Sequence, residues 1–370
     1  MAPRLTDLAA GLPATVPFVG PEARERALGR PFAARLGANE SVFGPSPRAL
    51  AAMREAAGTI WRYGDPEAFE LRGALARHHG VSPENIMPGA GIDGLLGDLV
   101  RLLVSPGTPV VTSAGAYPTF NYHVTGYGGV LHTAPYRDDA EDPEALLALA
   151  RETGAPLVYL SNPDNPMGSW LDAGRIGAMI RGLPEDCLLV LDEAYVDFAP
   201  RDAVPPLDVT EGRVIRMRTF SKAHGMAGAR IGYALGQAGL IAAFDRVRDH
   251  FGLNAVAQAG ALASLRDPDW LTAVVARVAG GRQRLARIAA ENGLRALPSA
   301  TNFVAIDCGR DGAYAAAVLA ELEARGVFVR KPAVSPQDRC VRITVGTPAD
   351  LDLVAKVLPE ALSAAMAAAV

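Results

Sequence analysis

The sequence predicts an α/β fold: a large domain on a mostly parallel, helix-covered sheet, and a smaller α+β domain formed from the N-terminal arm and the C-terminal part. Three observations carry this reading. Short apolar, β-branched runs alternate with amphipathic stretches, the pattern of strands buried on both faces by crossover helices. The periodicity lengthens beyond residue 265, where a long helical pattern precedes a new set of strands. A length of 370 residues exceeds one ordinary domain and suits a large unit with a smaller companion.

In chain order, the predicted strands of the large unit are Pro109–Ser113, Gly129–Thr133, Leu157–Ser161, Leu188–Asp192, Val214–Thr219 and Ile231–Leu235. Each is short, apolar and followed by turn residues. Between them, 143-PEALLALARETG-154 and 171-LDAGRIGAMIRGL-183 carry apolar residues at helical spacing. Residues 267–293 read as one helix weakened at Gly280-Gly281. Strands at Phe303–Asp307, Val327–Arg330 and Val341–Val345 follow, with helices around 313–325 and 348–367. The expected division is 1–44 for the arm and part of the small domain, 45–265 for the large domain, and 266–370 for the remainder.

Bulk composition narrows the function. An apolar content of 49% describes a packed globule, and a net charge of −4 offers no basic footprint for nucleic acid or anionic membrane. Cys187, Cys308 and Cys340 are scattered without a CxxC and read as reduced core thiols. Asp7, Pro13 and Pro17 interrupt any signal-peptide core. Prolines 106, 109 and 118 cut the uncharged stretch 102–136 too often for a membrane span. The expectation is a cytoplasmic protein. The six histidines show no metal spacing, so no metal is expected; His78-His79 ends a helix and His224 is read as structural.

Chemistry concentrates in a few segments. Only three lysines occur, and Lys222 lies in 219-TFSKAHGMAGARIGY-233. Arginine stays protonated in a protein, whereas lysine can lose its proton and attack a carbonyl. Asp192 ends the apolar strand of 188-LLVLDEAYVDF-198, at the strand end where open α/β sheets bind ligands. A buried acid there needs a cationic partner or several donors. The same run resembles a Walker B strand, but no GxxxxGK[ST] exists in the chain. The letters of 89-GAGIDG-94 fit GxGxxG without the acidic residue a dinucleotide site wants on the next strand. What survives is a glycine turn opening the helix Asp93–Leu103, able to hold a phosphate on its N–H groups. The turn 162-NPDNPMG-168 follows a strand, as does Tyr117, an aromatic suited either to the core or to stacking on a planar ring.

The order and spacing of Asn165, Asp192 to Tyr195, Ser221-Lys222 and Arg230 resemble class I/II (fold-type I) pyridoxal-phosphate aminotransferases. The histidinol-phosphate aminotransferase-like branch is the most similar, through 36-LGANESVFGPSP-47 and 341-VRITVGTP-348. The resemblance implies that Lys222 holds the cofactor as a Schiff base and then shuttles a proton, for which its pKa must fall. It implies that Asp192 pairs with the ring nitrogen, that Tyr195 and Asn165 bond the phenolic oxygen, and that Tyr117 stacks on the ring. Gly91, Ile92, Asp93, Thr219, Ser221 and Arg230 would take the phosphate, with Tyr63 lent by the other subunit of a homodimer. Arg342 would clamp the substrate's anionic end, with Asn39, Asn302 and Arg330 lining the same side. The implied partners are a small amino donor and a 2-oxo acid.

Three positions depart from the family pattern. Met167 replaces a threonine, Gly94 replaces an acid, and Phe18 stands where enzymes of this branch carry a phosphate-binding tyrosine. The first two leave transamination intact, whereas Phe18 weakens the case for histidinol phosphate and leaves room for an aromatic or aliphatic amino acid, so the expected donor is an amino acid or a histidinol-phosphate-like amine. Two other readings stay open: a decarboxylase of the threonine-phosphate decarboxylase type, and a non-catalytic ligand-binding dimer.

Overall fold

The computed structural model describes residues 4–14 and 19–368. Its centre is a seven-stranded sheet in the order Ile86–Gly89, Gly232–Leu235, Val214–Thr219, Leu188–Asp192, Leu157–Ser161, Pro109–Ser113 and Val130–Ala134. Pairing is parallel from Val214–Thr219 to Val130–Ala134, while Gly232–Leu235 runs antiparallel to both its neighbours. Every residue of Leu157–Ser161 and Leu188–Asp192 is buried, which is why these runs are apolar throughout and do not alternate.

Alternation survives in the direction each side chain takes. Tyr159 and Val190 join the core under the helices Gly91–Leu103 and Pro118–Gly126. Val158, Leu160, Leu189 and Leu191 join the opposite core, under Pro143–Thr153 and Ala173–Gly182. The two-residue period of a strand thus feeds two separate hydrophobic layers.

The expected strands and helices form, with boundary shifts of one or two residues. Two differences have physical causes. The edge strand Ile86–Gly89 was not anticipated, because Pro88 and Gly89 argue against a strand; Pro is tolerated where one side of the strand pairs with nothing. The helix Pro268–Glu291 runs unbroken through Gly280-Gly281. A Cβ at Gly281 would sit 2.3 Å from Val345 Cγ1, so the glycine lets the helix lie against the end of a strand. That strand, Cys340–Thr344, flanks Phe303–Asp307 in a three-stranded antiparallel sheet. Val327–Phe328 pairs in parallel with Ala34–Arg35, carrying the N-terminal segment onto the C-terminal part. The expected strand at Val327–Arg330 therefore ends early, and Arg330 makes only an isolated bridge to Arg342. Among the described residues no helix is long and apolar enough to cross a membrane, and no His/Cys/Asp/Glu group is arranged to hold a metal. All three cysteines are buried and free.

Candidate active site

The parallel strands end on one edge of the sheet, and the predicted site residues other than Tyr63 gather there. Asp192 is the last residue of its strand and is buried. Its carboxylate accepts from Tyr159 OH at 2.6 Å and from the Ala194 amide at 2.9 Å, and burial raises its pKa to about 6. Glu193 points the other way. It is held by Arg216 at 2.5 Å and Arg218 at 2.8 Å, which keep its pKa low despite burial. Consecutive side chains of an extended segment diverge, so one acid receives two guanidiniums and its neighbour only neutral donors.

Lys222 follows the strand Val214–Thr219. Its Nζ donates to the Asn39 carbonyl at 3.1 Å and lies 5.6 Å from the centre of the Tyr195 ring. Burial, then the cationic Arg342 nearby, lowers its pKa to about 8, so a sizeable fraction is neutral amine near physiological pH. Tyr195 OH accepts from Asn39 Nδ2 at 2.9 Å, and burial raises the phenol's pKa. Asn39 sits in the left-handed region, φ 55°, which asparagine tolerates better than most residues. It also exchanges bonds with Thr344 Oγ1, and its carbonyl accepts from Asn302 Nδ2 at 3.0 Å.

Asn165 occupies the turn after Leu157–Ser161, and its Oδ1 accepts from Arg342 Nη1. The other terminal nitrogen of Arg342 donates to the Gly37 carbonyl at 3.0 Å, while Nε is buried with no hydrogen-bond partner among the described residues. Arg330 donates to the Val19 carbonyl and pairs with Arg342 through the backbone. Tyr117 caps the helix Pro118–Gly126, half-buried, and burial raises its pKa.

At the other end, the helix Gly91–Leu103 starts two residues earlier than expected. Gly91 has φ 79°, and a Cβ there would lie 2.7 Å from Arg230 Nη2. Only glycine lets the helix N-terminus and that guanidinium converge. Thr219 Oγ1 and Ser221 Oγ are 3.0 Å apart in the loop between. Backbone N–H groups, hydroxyls and an arginine at one point make an anion cradle.

Tyr63 stands apart. It is 81% exposed and stacks on Phe251 at 4.4 Å, so it does not reach this site within one chain. Phe18 lies outside the described residues. Met167 is buried against Leu297, Ala305 and Cys340, an apolar seat that accounts for a methionine at that turn. His224 donates to or accepts from Ser264 Oγ at 2.8 Å, a buried structural contact as read. Two site residues escaped the sequence reading. Tyr159 hid inside a core strand, and His123, 2.7 Å from Asp93, lies thirty residues along the chain from its partner.

The sequence profile of the aminotransferase class I and II family matches residues 34–358. Histidinol-phosphate aminotransferase of Anaeromyxobacter sp. is 39% identical over 344 residues, 91% of this chain and 93% of that one. Histidinol-phosphate aminotransferase 2 of Carboxydothermus hydrogenoformans is 35% identical over 337 residues, 90% and 92% of the two chains. The crystal structure of histidinol-phosphate aminotransferase from Sinorhizobium meliloti, in complex with pyridoxal-5'-phosphate, superposes with a TM-score of 0.95 at 56% identity, covering 98% of both chains. With a lysine, a buried acid and an anion cradle at one sheet edge, and with that match across most of its length, the chain belongs to the aminotransferase class I and II family.

Proposed function

We propose that this chain is a pyridoxal-phosphate-dependent transaminase moving an amino group from a small amine with an anionic end to a 2-oxo acid. The observation that carries the reading is Asp192: a buried carboxylate with two neutral donors and no ion pair among the described residues, with Lys222, of lowered pKa, acting on it only at longer range. A protonated ring nitrogen supplies the missing charge. The cradle of Gly91, Ile92, Asp93, Thr219, Ser221 and Arg230 suits a phosphate, so the residues fit this cofactor.

When bound, pyridoxal phosphate supplies an electron sink that makes the substrate's Cα proton labile. The chain's residues do the rest. Asp192 keeps the ring nitrogen protonated. Lys222 anchors the cofactor through Nζ and, once displaced, carries the proton between Cα and C4′. Asn165 and Tyr195 bond the phenolic oxygen, and Tyr117 covers the ring face. Arg342, whose bonds to Asn165 and Gly37 can be exchanged for a carboxylate or phosphate, clamps the anionic end with Arg330 beside it, and Asn39 and Asn302 line the wall.

The names of the relatives support histidinol phosphate as the donor, against the expectation from Phe18. Nothing in the comparisons favours decarboxylation or a non-catalytic role. The large exposed apolar residues Trp61, Tyr63, Phe69 and Phe251 support a homodimer in which Tyr63 completes the partner's phosphate site. A cytoplasmic location and the division at residues 45 and 265 complete the proposal. The test is a panel of amino donors, including histidinol phosphate and aromatic and aliphatic amino acids, mixed with holoenzyme while the cofactor band is recorded. Conversion to the pyridoxamine absorbance with one donor identifies it; carbon dioxide release in its place overturns transamination.

A further inference from the structure

Behind the site lies a second group of acids that the transamination scheme does not use. Glu141, in the loop before the helix Pro143–Thr153, is buried, as is Asp164 in the turn that carries Asn165. Glu141 Oε2 takes Ser113 Oγ at 2.6 Å, and Oε1 takes the Ser161 amide and Ser161 Oγ, both at 2.9 Å. Asp164 takes Tyr136 OH at 2.8 Å and the Met167 amide at 3.0 Å, with Ser161 Oγ 3.4 Å away. No lysine, arginine or histidine is in ion-pair contact with either acid among the described residues; the adjacent Arg137 pairs with Asp142 instead.

The placement of these bonds is informative. Ser113 and Ser161 are the last residues of neighbouring parallel strands, and each lies four residues before a proposed cofactor contact, Tyr117 and Asn165 respectively. One carboxyl thus clamps both strand ends that present the cofactor's neighbours. Proton supply sets its state. Ser161 has one hydroxyl hydrogen for two carboxylate oxygens, so with both acids ionised one contact is oxygen against oxygen. A proton on Glu141 removes the conflict: Glu141 donates to Ser161 Oγ, which turns its own hydrogen to Asp164. Two unpaired buried charges are also far costlier than one.

We propose that Glu141 is a positioning residue, held as a neutral carboxylic acid, which fixes through Ser113 and Ser161 the strand ends carrying Tyr117 and Asn165. The groups facing the pair agree. Burial and the Asp164 charge push Glu141 upward and outweigh the hydrogen bonds from Ser113 and Ser161, the phenols of Tyr136 and Tyr159 bring no positive charge, and Arg342 acts at longer range on Asp164. The acid that keeps its charge is thus the one nearer that cation.

The infrared difference between wild type and Glu141→Gln at pH 7 tests the protonation without cofactor. A carboxylic-acid carbonyl band present only in wild type is expected, and its absence overturns the inference. Melting temperatures give an independent readout. A raised acid pKa stabilises the fold at low pH and loses that contribution as pH rises, so wild type declines from pH 5 to 9 relative to Glu141→Gln. Parallel curves overturn it. The positioning role rests on the reading of Tyr117 and Asn165 as cofactor contacts. Titration with pyridoxal phosphate should give Glu141→Gln an affinity within about threefold of wild type, and Glu141→Ala one more than about tenfold weaker. Equal affinities overturn positioning and leave the transaminase reading standing.

Discussion

Lys222 Nζ donates to the carbonyl oxygen of Asn39 at 3.1 Å, tying the sheet-edge lysine to the N-terminal segment, while the same residue's Nδ2 bonds Tyr195. The lysine is therefore held by a neutral acceptor that a cofactor can replace, with cations nearby and no carboxylate in ion-pair contact. Burial first, and then the neighbouring Arg342, lowers its pKa.

Capture of pyridoxal phosphate by the free enzyme should accelerate as pH rises through about 8, following the neutral amine of Lys222. Arg342→Gln removes a neighbouring cation, so the midpoint should move upward. Absorbance kinetics across pH 6–10 measure both, and an unchanged midpoint in the variant would show that Arg342 does not act on the lysine.

Lys222→Ala should fold and retain cofactor without a covalent link, with turnover lowered by about 10²–10⁴-fold or more for want of the proton carrier. Borohydride reduction and peptide mapping should place the pyridoxyl group on Lys222 in wild type and on no residue in the variant.

Asp192→Asn should act oppositely on the free and loaded protein. Without cofactor the raised acid pKa means stability is lost as pH climbs from the ordinary carboxylate range through about 6. At pH 7 the amide should therefore stabilise the free protein by up to about 3 kcal/mol. The loaded protein loses its counter-charge, and cofactor affinity should drop. Calorimetry with and without pyridoxal phosphate reads the reversal.

Mixing inactive Lys222→Ala and Tyr63→Ala subunits should restore activity. A mixed dimer contains one site with both an intact lysine and the partner's intact tyrosine. No recovery after subunit exchange would rule out a site shared between chains.

Gly281→Ala should destabilise the fold by about 1–3 kcal/mol, because the added methyl meets Val345 Cγ1 at 2.3 Å. Urea unfolding at constant m-value measures it. Gly280→Ala, where no atom lies within 4 Å of the added group, should be neutral or stabilising.

Much of this protein could be read along the chain. The strands Leu157–Ser161 and Leu188–Asp192 and the helices between them follow from period and burial, which are local properties of sequence. Lys222 and Asp192 stand out by residue type and position at strand ends, whereas Tyr195, Asn165 and Arg230 are marked as candidates through the family resemblance. Tertiary structure alone decided the remainder. It brought Asn39 under Tyr195 across 156 residues, set Tyr159 on Asp192, and joined Glu141 to two strand ends through a pair of serines. It also turned Gly281 from an apparent helix weakness into a packing contact. These depend on which segments the sheet order makes neighbours, and a partner far away in sequence leaves no periodic trace at either end.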